Sequence, residues 1–340
     1  MKKNYLFNFS VSWTGGGLKR LYAYSEWFDK QGGTNFIVHP TCSNFIDLYP
    51  NNKYFVVKQS SFSRLFRDSS YLKEILGELK TIDMYYSYGI PIYSRVCKVN
   101  WFHLSSVTPL LALNMDLSIF NKIKYSILGM KIKRNLKHAD HISAESNFSL
   151  GLLKDIDKKK LFLSVHGSDD ELKYLNQNID DRKENIAITV GTHTYKRLDL
   201  VYSKFLELKE NNKDLKLFII GEKNIIPTYI LQDSQVEATG TIPRKKVIEF
   251  LIRARYFITA SSVENSYNAA SEGIFLATES FISDISPHME LVKGMPYKHS
   301  PIQNSNIAFL QISRKDLSSS NIATWDQVLE DLLKHVDALS

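Results

Sequence analysis

The sequence predicts an α/β protein made of two doubly wound, Rossmann-like domains. Three observations carry that expectation. Apolar strand-like runs alternate with helix-period segments along nearly the whole chain, the pattern of parallel sheets joined by crossover helices. The alternation breaks once, at a polar stretch without a period, residues 169–184, which reads as a linker. A length of 340 residues also suits two domains better than one.

The first series opens with a loosely alternating stretch, residues 4–13, that suits a strand. Thr14-Gly15-Gly16-Gly17 follows, and then Leu18, Leu21, Tyr22, Ser25 and Phe28 fall at helical spacing. Gly32-Gly33 ends that helix, and Thr34–His39 reads as the next strand. Further strands are expected at Tyr54–Lys58, Met84–Tyr88, Val99–His103, His141–Ala144 and Leu161–Val165, with helices at Tyr71–Leu79, Ile119–His138 and Phe148–Leu153. In the second series the expected strands are Asn185–Val190, Leu215–Ile220, Val236–Thr239, Tyr256–Thr259 and Leu276–Ser280. Helices are expected at Leu198–Glu210, at Arg244–Ile252 and from Asn268–Gly273 onward. The amphipathic tail Trp325–Val336 closes the chain. The expected division is 1–168 for the N-terminal domain, 169–184 for the linker and 185–324 for the C-terminal domain, with 325–340 packing back on the first. Two such halves place a ligand crevice at the carboxyl ends of their strands.

Composition narrows the function classes. Hydrophobic residues make up 44% of the chain and charged residues 23%, which excludes wholesale disorder and fibrous chains. Apolar runs are short, Leu215–Ile220 among the longest, so no bilayer span is expected. The start, MKKNYLFNFSVSW, is interrupted by Asn4, Asn8, Ser10 and Ser12 and does not read as a signal peptide. Cys42 and Cys97 stand alone without a spacing motif and read as reduced thiols of a cytoplasmic protein or else as a single disulfide. The net charge of +7 is lopsided, with 23 Lys/Arg against 14 Asp/Glu in residues 1–170 and 20 against 22 in residues 171–340. The densest patch holds Lys122, Lys124, Lys131, Lys133, Arg134 and Lys137. Ile123, Ile127, Met130 and Leu136 recur there at steps that fit one side of a helix. The patch reads either as the solvated face of a core-packed helix or as a surface that adheres to anionic membrane, where each cation contributes about 1 kcal/mol. Nucleic-acid binding has no support, since few aromatics interleave the patch and no recognition motif is present.

Three features carry chemistry. Gly15-Gly16-Gly17 precedes a helix, where backbone N–H groups attract phosphate; it reads as a phosphate cradle or as a tight turn. It is neither GxGxxG nor a P-loop. In AITVGTHTYKRLDL, a strand ends at Gly191 and Lys196 and Arg197 follow, a cationic pair suited to neutralising a diphosphate leaving group or else a surface pair at a helix start. In SSVENSYNAASEG, Glu264 and Glu272 flank a strand–loop–helix junction with seven residues between them. Asn265 and Ser266 form a small-residue loop whose amides can face a phosphate, and Glu272 can accept from vicinal hydroxyls such as those of a ribose. No DxD motif at a strand end and no Cys/His cluster is present, so no metal is expected.

The second half resembles the nucleotide-binding domain of family 4 glycosyltransferases of the GT-B fold. VGTHTYKRLDL is similar to that family's phosphate-binding strand–loop, and LKLFIIGE to its next strand and glycine turn. Residues 236–292 follow the family order through the turn at Gly240, the Glu–seven–Glu motif and SDISPHMEL, which ends near Glu290. In the first half the Gly15–Gly17 loop, ADHISAESNFS and LSVHGSDD match in order. The resemblance implies a retaining transfer of a hexose-type sugar from a nucleotide-diphosphate sugar to an acceptor hydroxyl, without a metal cofactor. The implied acceptor is a lipid-linked or surface-polysaccharide glycan, and the implied station is cytoplasmic, peripheral on the inner face of the cell membrane.

By the same resemblance Glu264 contacts the transferred sugar and Glu272 the ribose. Lys196 with Arg197 neutralises the departing diphosphate, the Gly15–Gly17 amides complete the phosphate cradle, and His103 lies near the donor sugar. Gly191, Thr192, Asn265, Ser266 and Tyr267 complete the donor-binding set. Two departures stand out. Thr192 occupies a position where the family usually has Arg, with the spacing to Lys196 one residue short, and Asn265-Ser266-Tyr267 replaces the common Gly-Phe-Gly. The alternative readings are a catalytically weak or inactive nucleotide-sugar binder and a nucleotide-sugar epimerase of the same fold.

Overall fold

The computed structural model describes residues 3–58, 70–154, 156–168, 184–301, 307–317 and 323–338. Residues 169–183, nearly all of the expected linker, lie outside these. The chain divides into two compact units, one of Met1–Gly167 with Thr324–Ser340 and one of Ser168–Ala323.

The N-terminal unit carries β1 (Tyr5–Asn8), α1 (Gly15–Lys30), β2 (Asn35–Val38), α2 (Phe45–Leu48), β3 (Lys53–Val56), α3 (Ser70–Leu79), β4 (Met84–Tyr88) and β5 (Val99–Leu104). α4 (Thr108–Leu111), α5 (Ile119–Asn135), β6 (His141–Ala144), α6 (Asn147–Gly151) and β7 (Leu161–Leu163) complete its first segment. Its strands form one sheet in the order β3-β2-β1-β4-β5-β6-β7, every adjacent pair parallel. The strands β1, β2, β4, β5 and β6 are buried along their whole length, as expected for a parallel sheet covered on both faces. An aromatic cluster fills one side, with Phe7 at its centre against Tyr24, Phe28, Phe36 and Tyr86.

The C-terminal unit carries β8 (Glu184–Val190), α7 (Leu198–Glu210), β9 (Lys216–Ile220), α8 (Thr228–Leu231), β10 (Val236–Gly240), α9 (Arg244–Arg253) and β11 (Ala254–Thr259). α10 (Asn268–Leu276), β12 (Glu279–Ser283), α11 (Ser286–Leu291), β13 (Lys298–Pro301) and β14 (Ala308–Ser313) follow. Strand order is β10-β9-β8-β11-β12-β14-β13. The first five strands are parallel, and β14 and β13 add antiparallel at the edge. Successive β8 residues feed opposite faces of the sheet: Ile186 and Ile188 enter one apolar cluster with Phe257 and Ile274, and Ala187 enters another with Leu217 and Ile258.

Both sheets therefore read 3-2-1-4-5 from one edge, with the order reversing between the first and fourth strands. Loops at the carboxyl ends of those two strands diverge, which makes a ligand crevice in open α/β sheets.

The tail helix α12 (Trp325–Asp337) starts with a capping box, Thr324 with Gln327, and belongs to the N-terminal unit. Its Trp325 meets Tyr24 of α1 edge-on and lies directly over Gly167. The C-terminal sheet differs from expectation at its end, where the edge strands β14 and β13 were not anticipated and one strand is shifted. The strand placed at Leu276–Ser280 begins at Glu279, because Ile274–Leu276 continue α10 into the core.

Candidate functional site

β8 and β11 are sheet neighbours at the reversal of the C-terminal unit, so the loops after them arise side by side. The chain leaves β8 at Gly191, whose φ of +91° is a left-handed value that a side chain strains to adopt. A Cβ there would stand 3.0 Å from Lys196 Cε, so the glycine also lets the lysine stem lie across the turn. Lys196 Nζ then meets Glu264 Oε1, from the loop after β11, at 2.6 Å. Both side chains are mostly buried, 11% and 20% exposed. Ser261 Oγ donates to the same carboxylate oxygen at 2.7 Å. Two residues 68 apart in sequence thus form a desolvated ion pair at the switch point of the sheet.

Other expected residues fall around this pair. Thr192 is buried with its side chain close over Gly221, filling the turn after β9. Arg197 adopts a left-handed φ of +48° and forks onto Asp199 with contacts of 3.0 and 2.7 Å, so the cationic pair is divided: Lys196 faces Glu264 and Arg197 faces the first turn of α7. Ser266 Oγ contacts Asn268 Oδ1 at the start of α10, and Asn265 and Tyr267 are partly buried beside it. Glu272 lies in the second turn of α10, 6% exposed, and accepts from Arg244 at 2.5 Å. The next residue, Gly273, lies flush on Phe257, since a Cβ there would overlap the ring at 2.0 Å. That close approach seats α10 on β11 and sets the depth of Glu272.

Sequence reasoning missed Arg244, Ser261, Ser283 and His288. His288, in SDISPHMEL, is buried on α11, and its Nδ1 lies 2.8 Å from the Ser283 carbonyl and 3.2 Å from Ser283 Oγ. Ser283 Oγ donates to the Ser261 carbonyl at 2.7 Å. A hydrogen-bonded chain thus runs from His288 through Ser283 and Ser261 to Glu264. Burial pushes the His288 imidazole down to about 4, while Glu264 and the Ser283 carbonyl pull it up and Lys196 pushes it down.

In the N-terminal unit, Gly15, Gly16 and Gly17 form the first turn of α1 rather than a separate loop. Gly17 packs tightly against Tyr88 and Ser12. His103, at the end of β5, is wholly buried and stacks on Tyr88 with ring centroids 4.9 Å apart and 10° between planes. Trp101 Nε1 donates to Ser143 Oγ at 2.7 Å, and the same hydroxyl lies 2.8 Å from His103 Nδ1. His103 Nε2 lies 3.8 Å from Glu145 Oε1. Burial, then Arg20, hold this imidazole down to about 4, so the ring is neutral at pH 7.

Glu145 and Arg20 are a buried ion pair at 3.0 Å that sequence reasoning also missed. Arg20 further donates to Ser164 O, Val165 O, Ser164 Oγ and the Tyr24 hydroxyl, and its guanidinium lies over Trp325. Desolvation raises the Glu145 carboxyl, but Arg20 together with His103 and His166 holds it well below its usual range. His166 approaches the same carboxylate at 3.7 Å. The only sequence hint was that Glu145 and His166 sit inside ADHISAESNFS and LSVHGSDD.

The basic segment forms α5, but its apolar residues divide differently from expectation. Leu128, Gly129, Ile132 and Leu136 are buried, with Gly129 against the Pro109 carbonyl. Ile119, Phe120, Ile123 and Met130 are each more than half exposed. The stripe Ile123–Ile127–Met130 therefore lies outside the core contact and does not continue into Leu136. Lys133, Arg134 and Lys137 are exposed near it. No helix among the described residues is long and apolar enough to cross a membrane.

No protein-family model and no curated protein matches the sequence. Solved structures do match. Sucrose-phosphate synthase from Thermosynechococcus elongatus superposes with a TM-score of 0.65 at 11% identity, covering 99% of this chain and 95% of that one. WaaG, a glycosyltransferase involved in lipopolysaccharide biosynthesis, gives 0.63 at 12% identity over 98% and 90%. Anabaena Alr3699/HepE, solved with UDP and glucose, gives 0.59 at 10% identity over 86% and 83%. Likeness at these identities is a likeness of architecture, and with the two seven-stranded sheets it establishes that this chain has the GT-B fold of glycosyltransferases.

Proposed function

We propose that the protein is a retaining glycosyltransferase that moves a hexose-type sugar from a nucleotide-diphosphate sugar to an acceptor hydroxyl. The observation that carries this reading is the Lys196–Glu264 pair at the switch point of the C-terminal sheet. In the reaction the bond between the anomeric carbon and the diphosphate oxygen breaks, its electron pair leaves with the diphosphate, and the acceptor oxygen bonds to that carbon as it loses its proton. Lys196 supplies positive charge where the leaving group becomes more negative. Glu264 supplies negative charge where the sugar becomes oxocarbenium-like. Its Oε1 is held by Lys196 and Ser261, which leaves Oε2 to face the sugar. Glu272, steadied by Arg244, accepts from the ribose hydroxyls. The HepE structure holds UDP and glucose, which favours a uridine nucleotide here.

The acceptor belongs to a lipid-linked or surface-polysaccharide glycan, and α5 docks the protein on anionic membrane. Exposed Phe120, Ile123 and Met130 on the helix that also carries exposed Lys133 and Arg134 favour that docking over a merely solvated face. The test is turnover of a panel of nucleotide sugars, with the anomeric configuration of the product read by NMR. Glu264→Gln is expected to lower turnover on the order of a hundredfold or more while nucleotide affinity changes little. A protein that binds nucleotide but turns over no donor is the inactive binder instead, a reading favoured by Thr192 at a position where the resembled family usually has Arg.

A further inference from the structure

Lys196 must reach a phosphate for the chemistry above, yet its ammonium is engaged by Glu264 at 2.6 Å. A nucleoside diphosphate that recruits Lys196 therefore brings negative charge into the site and removes the counter-ion of a mostly buried carboxylate. Two features answer these two changes. Ser261 is fully buried, lies 3.2 Å from Thr259 Oγ1, and donates to the same Glu264 oxygen as Lys196 does, so the carboxylate keeps a donor when the lysine leaves.

His288 answers the charge. Its Nδ1 faces the Ser283 carbonyl, which can only accept, so Nδ1 carries the proton and Nε2 holds a lone pair. The charged groups acting on the ring are Glu264, from the loop after β11, and Lys196, from the turn after β8. They oppose each other in the paired state. Drawing Lys196 onto a phosphate leaves Glu264 uncompensated and adds an anion, and both changes favour an imidazolium.

We propose that His288 is a proton-accepting residue of this site: a bound nucleoside diphosphate draws Lys196 off Glu264, His288 takes a proton from solvent at Nε2, and Ser261 holds the Glu264 carboxylate through the exchange. The proposal rests on the reading of the site as a diphosphate site. It adds one proton to the complex and changes no other covalent bond.

The experiment uses the full chain and UDP as the probe. Histidine ring 15N shifts are recorded for the free and UDP-saturated protein near pH 6, and UDP binding heats are measured in two buffers of different ionisation enthalpy. The terminal phosphate of UDP titrates in the same range, so His288→Asn supplies the baseline. Its amide keeps a donor for the Ser283 carbonyl and cannot be protonated. The expected result is a neutral Nδ1–H ring in the free protein that becomes an imidazolium on saturation, with a larger proton uptake in the wild type than in His288→Asn. UDP binding with equal uptake in both proteins and an unchanged His288 signal overturns the proposal and leaves the diphosphate site standing. Failure of UDP, GDP and the other nucleoside diphosphates to bind removes the diphosphate reading itself. The wild-type spectra decide the matter even where the variant does not fold.

Discussion

At the scale of single residues, the two ion pairs differ in what they ask of the sequence. Lys196 and Glu264 each stood out in the sequence because each ends a recognisable strand–loop unit, Lys196 after the Gly191 turn and Glu264 after β11, though their pairing did not. Arg20 and Glu145 did not stand out, because nothing local marks either one: Arg20 sits inside the first helix and its partner lies 125 positions away. Only the adjacency of α1 to the ends of β6 and β7 brings them together. The same limit hid His288, whose role depends on a carbonyl and a carboxylate from two other strands. Burial makes the Arg20 pair costly to break singly. Arg20→Met is expected to lower stability by roughly 3–5 kcal/mol, since it removes the cation beside the buried Glu145 carboxylate, and Glu145→Leu by a similar amount. The double replacement is expected to cost less than the sum of the singles, because no lone charge remains. Urea denaturation of the four proteins measures this coupling; additive losses would show that the two charges do not act as a pair.

At the scale of elements, the readily legible ones were those buried along their whole length. Met84–Tyr88 and His141–Ala144 matched residue for residue because a continuous buried run has no other use for its side chains. β13, Lys298–Pro301, was missed because it is an exposed, polar edge strand ending in proline, features that blunt a sheet edge and erase the apolar pattern together. The strand after α10 was misplaced because Ile274–Leu276 is a short apolar run that suits helix or strand equally. α5 shows a third kind of ambiguity. Its apolar residues face two directions, and sequence spacing does not say which set the core takes. Since Phe120 and Ile123 are exposed, the double variant Phe120→Ser/Ile123→Ser should fold with little change in stability and lose sedimentation with anionic vesicles. High salt should weaken the wild type as well, because the lysines and Arg134 act through screened charge. Vesicle binding unchanged in the double variant would place the contact elsewhere on the protein.

At the scale of the molecule, charge and burial together set a pH limit that differs between the two units. His103, His141 and His166 in the N-terminal unit, and His288 in the C-terminal unit, are all lowered to about 4, with burial the largest cause in each. His141 also shares a 3.2 Å contact with His335 of α12, which two protonated rings cannot keep. An unfolded histidine titrates near 6.5, so between about 6.5 and 4 the unfolded chain binds protons that the folded chain refuses. Stability from these groups is therefore full above about pH 6.5 and is lost as pH falls toward 4. Three such sites give the N-terminal unit a slope of about 4 kcal/mol per pH unit within that window, against about 1.4 for the single site in the C-terminal unit. Glu145, held well below its usual range, steepens the N-terminal loss further below about pH 4.5. The sequence supplies a probe that separates the units, since Trp13, Trp27, Trp101 and Trp325 all belong to the N-terminal unit. Tryptophan fluorescence should show a midpoint that is level above about pH 6.5 and falls steeply from there to pH 5, while the part of the far-UV dichroism that persists past that midpoint, from the C-terminal unit, should shift less. Replacing His141 by Phe, which fits its packing against Trp101 and His335, should flatten the fluorescence slope by about one proton's worth. A fluorescence midpoint indifferent to pH over this range would mean that the buried imidazoles are not what limits this unit in acid.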